Sequence, residues 1–158
     1  MQGYEEIEYF RNAENRLQGV ERRSLNADEE LVRTHTTRNL FEGRHRVGVD
    51  RFNRRADGSQ IHREELRYHV QVEGVGQVEE TKVFDQEDEL KQVRYTIVDR
   101  NDGGKVVARD TSAYDRDGAQ QHRQLITYGY SRTGLILSES RTRFDRNDDI
   151  DHKEVAEY

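Results

Sequence analysis

The sequence predicts an all-β protein in which about eleven strands form an antiparallel meander of repeated hairpins. Three observations support this fold class. The 158 residues include no proline, which paired strands exclude because it has no backbone N–H to donate to the ladder. A turn signal recurs about every fifteen residues, and the stretches between the turns are rich in valine, threonine and tyrosine, which favour strands.

Ten turn candidates divide the chain into its predicted strands. Glycine and asparagine tolerate the positive φ that tight turns need, and aspartate side chains bond to their own backbone. In chain order the candidates occupy residues 12–15, 26–29, 42–43, 55–58, 73–76, 85–88, 100–104, 115–118, 131–134 and 145–149. Ten turns separated by stretches of about ten residues imply about eleven strands joined as successive hairpins.

The alternation of side chains along the strands indicates a thin sheet. Residues 62–72 and 91–99 each align several apolar side chains on one face, whereas residues 106–114 and 135–144 have no clean apolar face. Hydrophobic residues make up only 32% of the chain and charged residues 37%, which argues against a thick core. We therefore expect residues 1–158 to form a single β-repeat domain, built as a single-layer or weakly curled sheet.

A pair of residues recurs before alternate turns and indicates an internal repeat. Each pair consists of an apolar or aromatic residue followed by asparagine or aspartate, and the successive spacings are 27, 32, 30 and 30 residues. The five pairs are Leu25-Asn26, Phe52-Asn53, Phe84-Asp85, Tyr114-Asp115 and Phe144-Asp145. A period of this size is typical of a repeat architecture, here with two strands in each repeat.

The segment Tyr114–Gly118, with the sequence YDRDG, and residues 121–128 after it resemble the tyrosine–aspartate (YD) repeats of Rhs-type and related toxin-shell proteins. Residues 84–90 and 144–148 look similar, so the resemblance covers roughly the second half of the chain. It implies that the tyrosine–aspartate pair ends a strand, that a glycine-containing turn follows, and that successive hairpins build a long β-sheet. The period of about thirty residues is longer than that of the family, and a shared fold implies no shared function.

The composition argues against several classes of function. The net charge is −6 and no basic stripe is present, so we expect no nucleic-acid binding. There is no cysteine, and no apolar stretch approaches the ~18 residues of a membrane-spanning helix. We also expect no signal peptide, because the amino terminus lacks the basic and apolar regions of one. The localisation stays open, since an extracellular or cell-surface site would require the chain to be a mature fragment.

No catalytic signature is present in the sequence. The metalloprotease motif HExxH, the nucleophile elbow GxSxG and a glycine-rich phosphate loop are all absent, and the six histidines lack helical metal spacing. A thin sheet also rarely supplies the concave pocket that catalysis needs. We therefore expect a protein that is not an enzyme, with no catalytic residues and no cofactor other than a calcium ion at the site considered next.

One acidic segment has the pattern of a cation site. Asp145, Asn147, Asp149 and Asp151 place oxygens at alternating positions, as the first half of a calcium loop does. Ile150 stands where such a loop has glycine, and Ala156 stands at its twelfth position in place of glutamate. An ordinary Asx turn is the simpler interpretation of the same residues.

The fold class favours a structural or protein-interaction module. Exposed edges of long sheets recruit other strands, so we expect a homo-oligomer, a fibre or a shell assembled through the sheet edges. One alternative is an up-and-down β-barrel that binds a small apolar ligand. A second is a carbohydrate-binding module in which tyrosines stack on sugars, with the candidates Tyr68, Tyr95, Tyr128 and Tyr130.

The calcium hypothesis has a direct test. If the acidic turns hold a divalent cation, millimolar calcium should raise the melting temperature or the assembled fraction more than magnesium does, because calcium accepts irregular oxygen shells. Differential scanning fluorimetry and light scattering at constant ionic strength measure both quantities. If neither changes, the acidic segments are ordinary Asx turns and hold no metal.

Overall fold

The computed structural model describes residues 3–73 and 76–158. It contains eleven β-strands and, within the described residues, no helix, which confirms the predicted all-β class and strand number. The strands are β1 Tyr4–Arg11, β2 Leu17–Leu25, β3 Leu31–Glu42, β4 His45–Arg55, β5 Gln60–Val72, β6 Gly76–Phe84, β7 Leu90–Arg100, β8 Val106–Asp115, β9 Gln120–Tyr130, β10 Ile136–Phe144 and β11 Ile150–Glu157.

The strands form one antiparallel sheet whose order follows the chain, from β1 to β11 without a crossover. Successive strands are therefore neighbours, as a meander of hairpins requires. β1 and β11 stand at the two ends of this order, so the sheet is not closed into a barrel. The alternative of an up-and-down barrel is wrong for this chain, because closure would need these two strands to pair.

Contacts between residues divide the chain into two units. The first consists of the residues up to Tyr68 together with Thr81–Lys91, and the second of His69–Glu80 together with Gln92–Tyr158. The first unit contains β1 to β4, and the second contains β8 to β11. The prediction of a single domain over residues 1–158 stays a prediction.

Eight connections in the described chain share one turn geometry. In each, the first residue donates its N–H to the carbonyl of the residue four positions later, and the fourth donates to the carbonyl of the first. The fourth residue has a positive φ between 61° and 85°. This is the three-residue hairpin loop, a type I turn followed by a left-handed residue. The first residues are Asn12, Asn26, Arg55, Asp85, Asn101, Asp115, Ser131 and Asp145.

The first side chain stabilises most of these turns. Asp115 Oδ1 accepts hydrogen bonds from the backbone N–H groups of Asp117 and Ala119, at 3.0 and 2.9 Å. Corresponding pairs of bonds form at four other turns, those of Asn12, Asn26, Asp85 and Asp145. Asparagine and aspartate therefore mark the turns in the sequence because their side chains satisfy two backbone donors of the loop.

Two predicted connections differ from this type. Gly43 and Arg44 join β3 to β4 in a tighter turn, in which Gly43 has a φ of 59°. The turn predicted at residues 73–76 includes Gly74 and Val75, which lie outside the described residues.

One member of the predicted repeat is wrong. The turn after β4 begins at Arg55, so Arg54 rather than Phe52 occupies the position immediately before it. Phe52 and Asn53 lie within β4, where they pair across the sheet with Arg63 and His62. In each of the other four pairs the second residue begins the turn and the first directly precedes it, as predicted. Asp85, Asp115 and Asp145 follow one another at intervals of thirty residues.

Few side chains are buried in the described chain, as expected for a single layer. The buried apolar residues are Val49, Val78 and Ala113, with exposed fractions of 4%, 3% and 0%. Thr36 is a buried polar residue at 6%. Most other strand residues are half-buried on both faces, so backbone ladders and cross-strand contacts supply most of the stabilisation.

The turn geometry predicts a stabilising substitution at Glu29. This residue has a φ of 63° at the left-handed position where Gly58 and Gly118 stand in the corresponding turns. Glu29→Gly should raise the free energy of unfolding by about 0.5–1 kcal/mol, because glycine adopts this conformation without strain. Urea unfolding measures the change. Glu29→Ala is the control, since it removes the carboxylate but keeps the Cβ, and a comparable gain there would contradict the backbone explanation.

Candidate interaction surfaces

The predicted calcium segment forms a hydrogen-bonded turn. Asp145 Oδ1 accepts from the backbone N–H groups of Asn147 and Asp149, at 2.7 and 3.1 Å. Asp151 lies on β11, where its Oδ2 is 3.7 Å from Arg143 Nε. Within the described residues there is no group of three or more His, Cys, Asp or Glu side chains that could hold a metal ion. The turn accounts for one oxygen of Asp145, and calcium binding stays a prediction.

The corresponding acidic turn of the first unit has cationic partners of its own. Lys91 Nζ lies 2.8 Å from Asp85 Oδ2, and its hydrogen bond lowers the pKa of that carboxyl below the usual value. Arg63 Nε donates to Asp88 Oδ1 at 2.9 Å and, with Gln60, lowers the pKa of Asp88. Both carboxylates are therefore held in the ionised form by neighbouring donors.

A set of cross-strand contacts occurs once in each unit, sixty residues apart. In the first unit the Arg63 guanidinium lies 3.9 Å from the centre of the Phe84 ring, and Gln60 Nε2 donates to Asp88 Oδ1 at 3.2 Å. The second unit repeats both contacts. There Arg123 lies 5.2 Å from the Phe144 ring, and Gln120 Nε2 donates to Asp148 Oδ1 at 3.2 Å.

The sequence contains a signal for this longer repeat that the two-strand analysis missed. Residues 57–63 and 117–123 share the pattern DGxQxHR, with Asp, Gly, Gln, His and Arg at matching positions. The two-strand period is defined by the residue pair before each turn, whereas the longer repeat is marked by residues within and after the turn. The structure thus indicates a repeat of four strands superimposed on the regular series of turns.

Arginine–carboxylate pairs also connect neighbouring strands in both units. Arg67 Nη1 lies 2.6 Å from Asp50 Oδ1 across β4 and β5. Arg123 binds Asp110 across β8 and β9 through two hydrogen bonds of 2.8 and 2.5 Å, and this carboxylate raises the pKa of Arg123. The high arginine content therefore serves at least in part to pair strands, because the planar guanidinium matches a carboxylate in a two-point contact.

A row of polar side chains crosses the middle of the first unit. Asn53 lies opposite His35 on one side and His62 on the other, and Arg22 lies opposite His35 on β2. Asn53 Oδ1 is buried without a hydrogen-bond partner. Burial, with a further contribution from Arg22, lowers the pKa of His35 below its usual value.

The tyrosines proposed for sugar stacking do not form one surface. Tyr95 packs against Tyr114 with ring centres 5.8 Å apart. Tyr95 lies opposite Ser112 of β8, which in turn lies opposite Arg123 of β9. The odd-numbered residues of β9 therefore share the face of Tyr95, and Tyr128 lies on the opposite face. The Tyr130 hydroxyl donates to the Val106 carbonyl at 2.7 Å. The carbohydrate interpretation stays a prediction.

A surface groove of about 480 Å³ lies on the first unit, along β1, β2 and β3. Its lining includes Phe10, Glu21 and Arg38, and Gly19 lies among them. A Cβ added at Gly19 would come within 2.7 Å of the Thr37 carbonyl oxygen, so close strand approach requires glycine here.

The edge strands are the most exposed strands of the described chain. Every residue of β1 and of β11 is exposed. β1 presents Tyr9 at 60% exposure, and β11 presents Ile150 and Val155 at 66% and 62%. Each strand pairs with one neighbour, so one row of its backbone N–H and C=O groups faces outward.

The low pKa of His35 predicts acid-sensitive stability. In the unfolded chain His35 binds a proton near pH 6.5, whereas in the folded chain it does so only at lower pH. The stability that depends on a neutral His35 is therefore complete above about pH 6.5 and is lost as the pH falls below that value. His35→Asn should reduce the loss between pH 7.5 and 5.5, measured by urea unfolding. His45→Asn, which removes a histidine at an exposed position, is the control, and an equal effect from both variants would contradict this origin.

No helix of the described chain has the length and apolar character needed to cross a membrane. Comparison with known protein families, with curated proteins and with solved structures finds no match in any of the three.

Proposed function

We propose that the chain is a structural or protein-interaction β-sheet module that associates through its edge strands. The observation that carries this proposal is that every residue of β1 and β11 is exposed and that each of these strands has a single neighbouring strand. Unpaired N–H and C=O groups along such an edge are a template for another strand. Self-association into an oligomer, a fibre or a shell is the leading form of this activity.

The side chains of the edges support strand addition with selectivity. Apolar residues such as Tyr9 on β1 and Val155 on β11 offer area to a partner strand. Glu5, Glu6 and Glu8 on β1 and Asp151, Glu154 and Glu157 on β11 disfavour partners with the wrong charge pattern. Charged edges of this kind limit unspecific aggregation, so association depends on a matching register.

We propose no catalytic role for this chain. Its titratable side chains are distributed in cross-strand pairs such as Asp50–Arg67 and Asp110–Arg123, along faces that are open to solvent. A catalytic site usually gathers such groups in a concave, partly dry pocket, where their pKa values shift strongly. The arrangement described here instead stabilises strand pairing.

The proposal predicts concentration-dependent association that edge substitutions weaken. Light scattering should show a molecular mass above that of one chain at high concentration, and electron microscopy should show whether the assemblies extend. Tyr9→Lys combined with Val155→Lys should lower the associated fraction, because lysine on an edge strand opposes strand addition. Leu135→Lys is the control, since Leu135 is 69% exposed but lies in a turn. A chain that stays monomeric at all concentrations and binds no added strand peptide would contradict the proposal.

A further inference from the structure

The outer edge of β11 has a defined set of outward backbone groups. The N–H of Tyr158 donates to the Leu137 carbonyl of β10 at 2.9 Å. In an antiparallel pair the inward and outward groups alternate, so the even-numbered residues of this stretch point toward β10. Lys153, Val155 and Glu157 therefore present their N–H and C=O groups to the outside.

The same three residues share one face of the sheet. They lie opposite Thr142, Ser140 and Ser138 of β10. These neighbours are small and uncharged, so they neither cover Val155 nor compete for the charges of Lys153 and Glu157. None of these three residues of β11 makes an ion pair with another described residue.

We propose that β11 is a self-pairing edge, where a second copy of this chain adds its own β11 antiparallel about a two-fold axis through Val155. This inference rests on the proposed function and names the partner. A two-fold axis perpendicular to the sheet keeps each face continuous across the junction. Val155 then meets Val155 of the second copy, and Lys153 meets Glu157 on both sides of it. The outward groups of these residues form about six N–H···O=C bonds.

Charge and the length of the paired segment together select this register over its neighbours. An axis through Ala156 opposes no like charges, but it would pair only residues 155–157 of β11, which ends at Glu157. An axis through Glu154 would place two glutamates together and Asp151 against Glu157, and an axis through Lys153 would place two lysines together. An axis through His152 would pair only residues 150–154, because β11 begins at Ile150. The axis through Val155 pairs residues 152–158 and opposes no like charges directly, so cross-strand electrostatics favour it.

The other edge is less suited to pair with itself. β1 carries Glu5, Glu6 and Glu8 within its eight residues. An axis through Ile7 would place Glu6 against Glu8, and an axis through Glu8 would place two glutamates together. An axis through Tyr9 opposes no like charges, but it forms no pair of opposite charges either. β11 is therefore the better edge for pairing two identical copies, and the product is a closed two-fold dimer at this junction.

Charge reversal tests the register. Sedimentation velocity of the full chain over a range of concentrations gives the dimer dissociation constant. Lys153→Glu and Glu157→Lys should each weaken dimerisation about tenfold or more, because each turns two attractive pairs into two repulsive ones. The double variant Lys153→Glu with Glu157→Lys should return the constant to within about threefold of the original, since the swapped pairs attract again. Single variants without effect, or a double variant that does not recover, would overturn the proposal.

A backbone variant tests the edge independently. Val155→Pro removes the outward N–H at the axis and should abolish dimerisation, whereas Val155→Thr keeps that N–H and should retain the dimer. Circular dichroism shows whether each variant folds. If Val155→Pro does not fold, the charge-reversal variants at the exposed residues Lys153 and Glu157 still test the proposal. If no β11 substitution changes the association but Tyr9→Lys abolishes it, the pairing of β11 with itself is overturned, whereas association through an edge strand is supported. A monomer at every concentration that also binds no strand peptide would overturn both.

Discussion

The structure depends on backbone hydrogen bonding that continues from strand to strand through tight turns. Few side chains are buried in the part of the chain that the structure describes, so side-chain packing there does not determine where each strand lies. Tight loops help to set the strand positions instead: at eight connections of the described chain the fourth residue of the loop takes a left-handed conformation. At five of these loops the first side chain also accepts hydrogen bonds from two backbone N–H groups. Each ladder bond contributes only about 0.5–1.5 kcal/mol net, so stability arises from their number and continuity. The absence of proline follows directly from this dependence.

The turns could be predicted from the sequence because their chemistry is local. A first residue such as Asp115 and a fourth such as Gly118 identify a loop from only five consecutive residues. The alternation of side chains in the stretches between loops then indicates the strands. The same local character makes Phe52-Asn53 resemble the pairs that precede turns. An aromatic residue followed by asparagine has the same local pattern on a strand as before a turn. The backbone hydrogen bonds that begin the turn at Arg55, and the pairing of Phe52 and Asn53 with β5, distinguish the two.

The contacts between strands could not be predicted in the same way. Whether Arg123 lies over Phe144 depends on register, and a shift between Arg143 and Phe144 changes which residues of β10 and β11 face each other. The direction of the outward backbone groups on β11 depends on that same shift. Sequence alternation gives the two faces of a strand but not the direction of its N–H groups. The shared pattern DGxQxHR was visible in the sequence, yet its meaning required the partners of Gln60 and Gln120 across the sheet.

A sheet in which each strand pairs only with its neighbours in the chain has no fixed length. Removing or adding two successive strands changes the pairing only at the junction, where the flanking strands acquire new neighbours, and a step of four strands keeps the longer pattern of contacts in phase. Tandem duplication of about sixty residues would therefore require new contacts only at one junction between strands. The matching contacts around Arg63 and Arg123 are the trace that such a duplication would leave. In a protein of this kind, the number of strands is a quantity that natural selection can tune independently of the sequence within each hairpin.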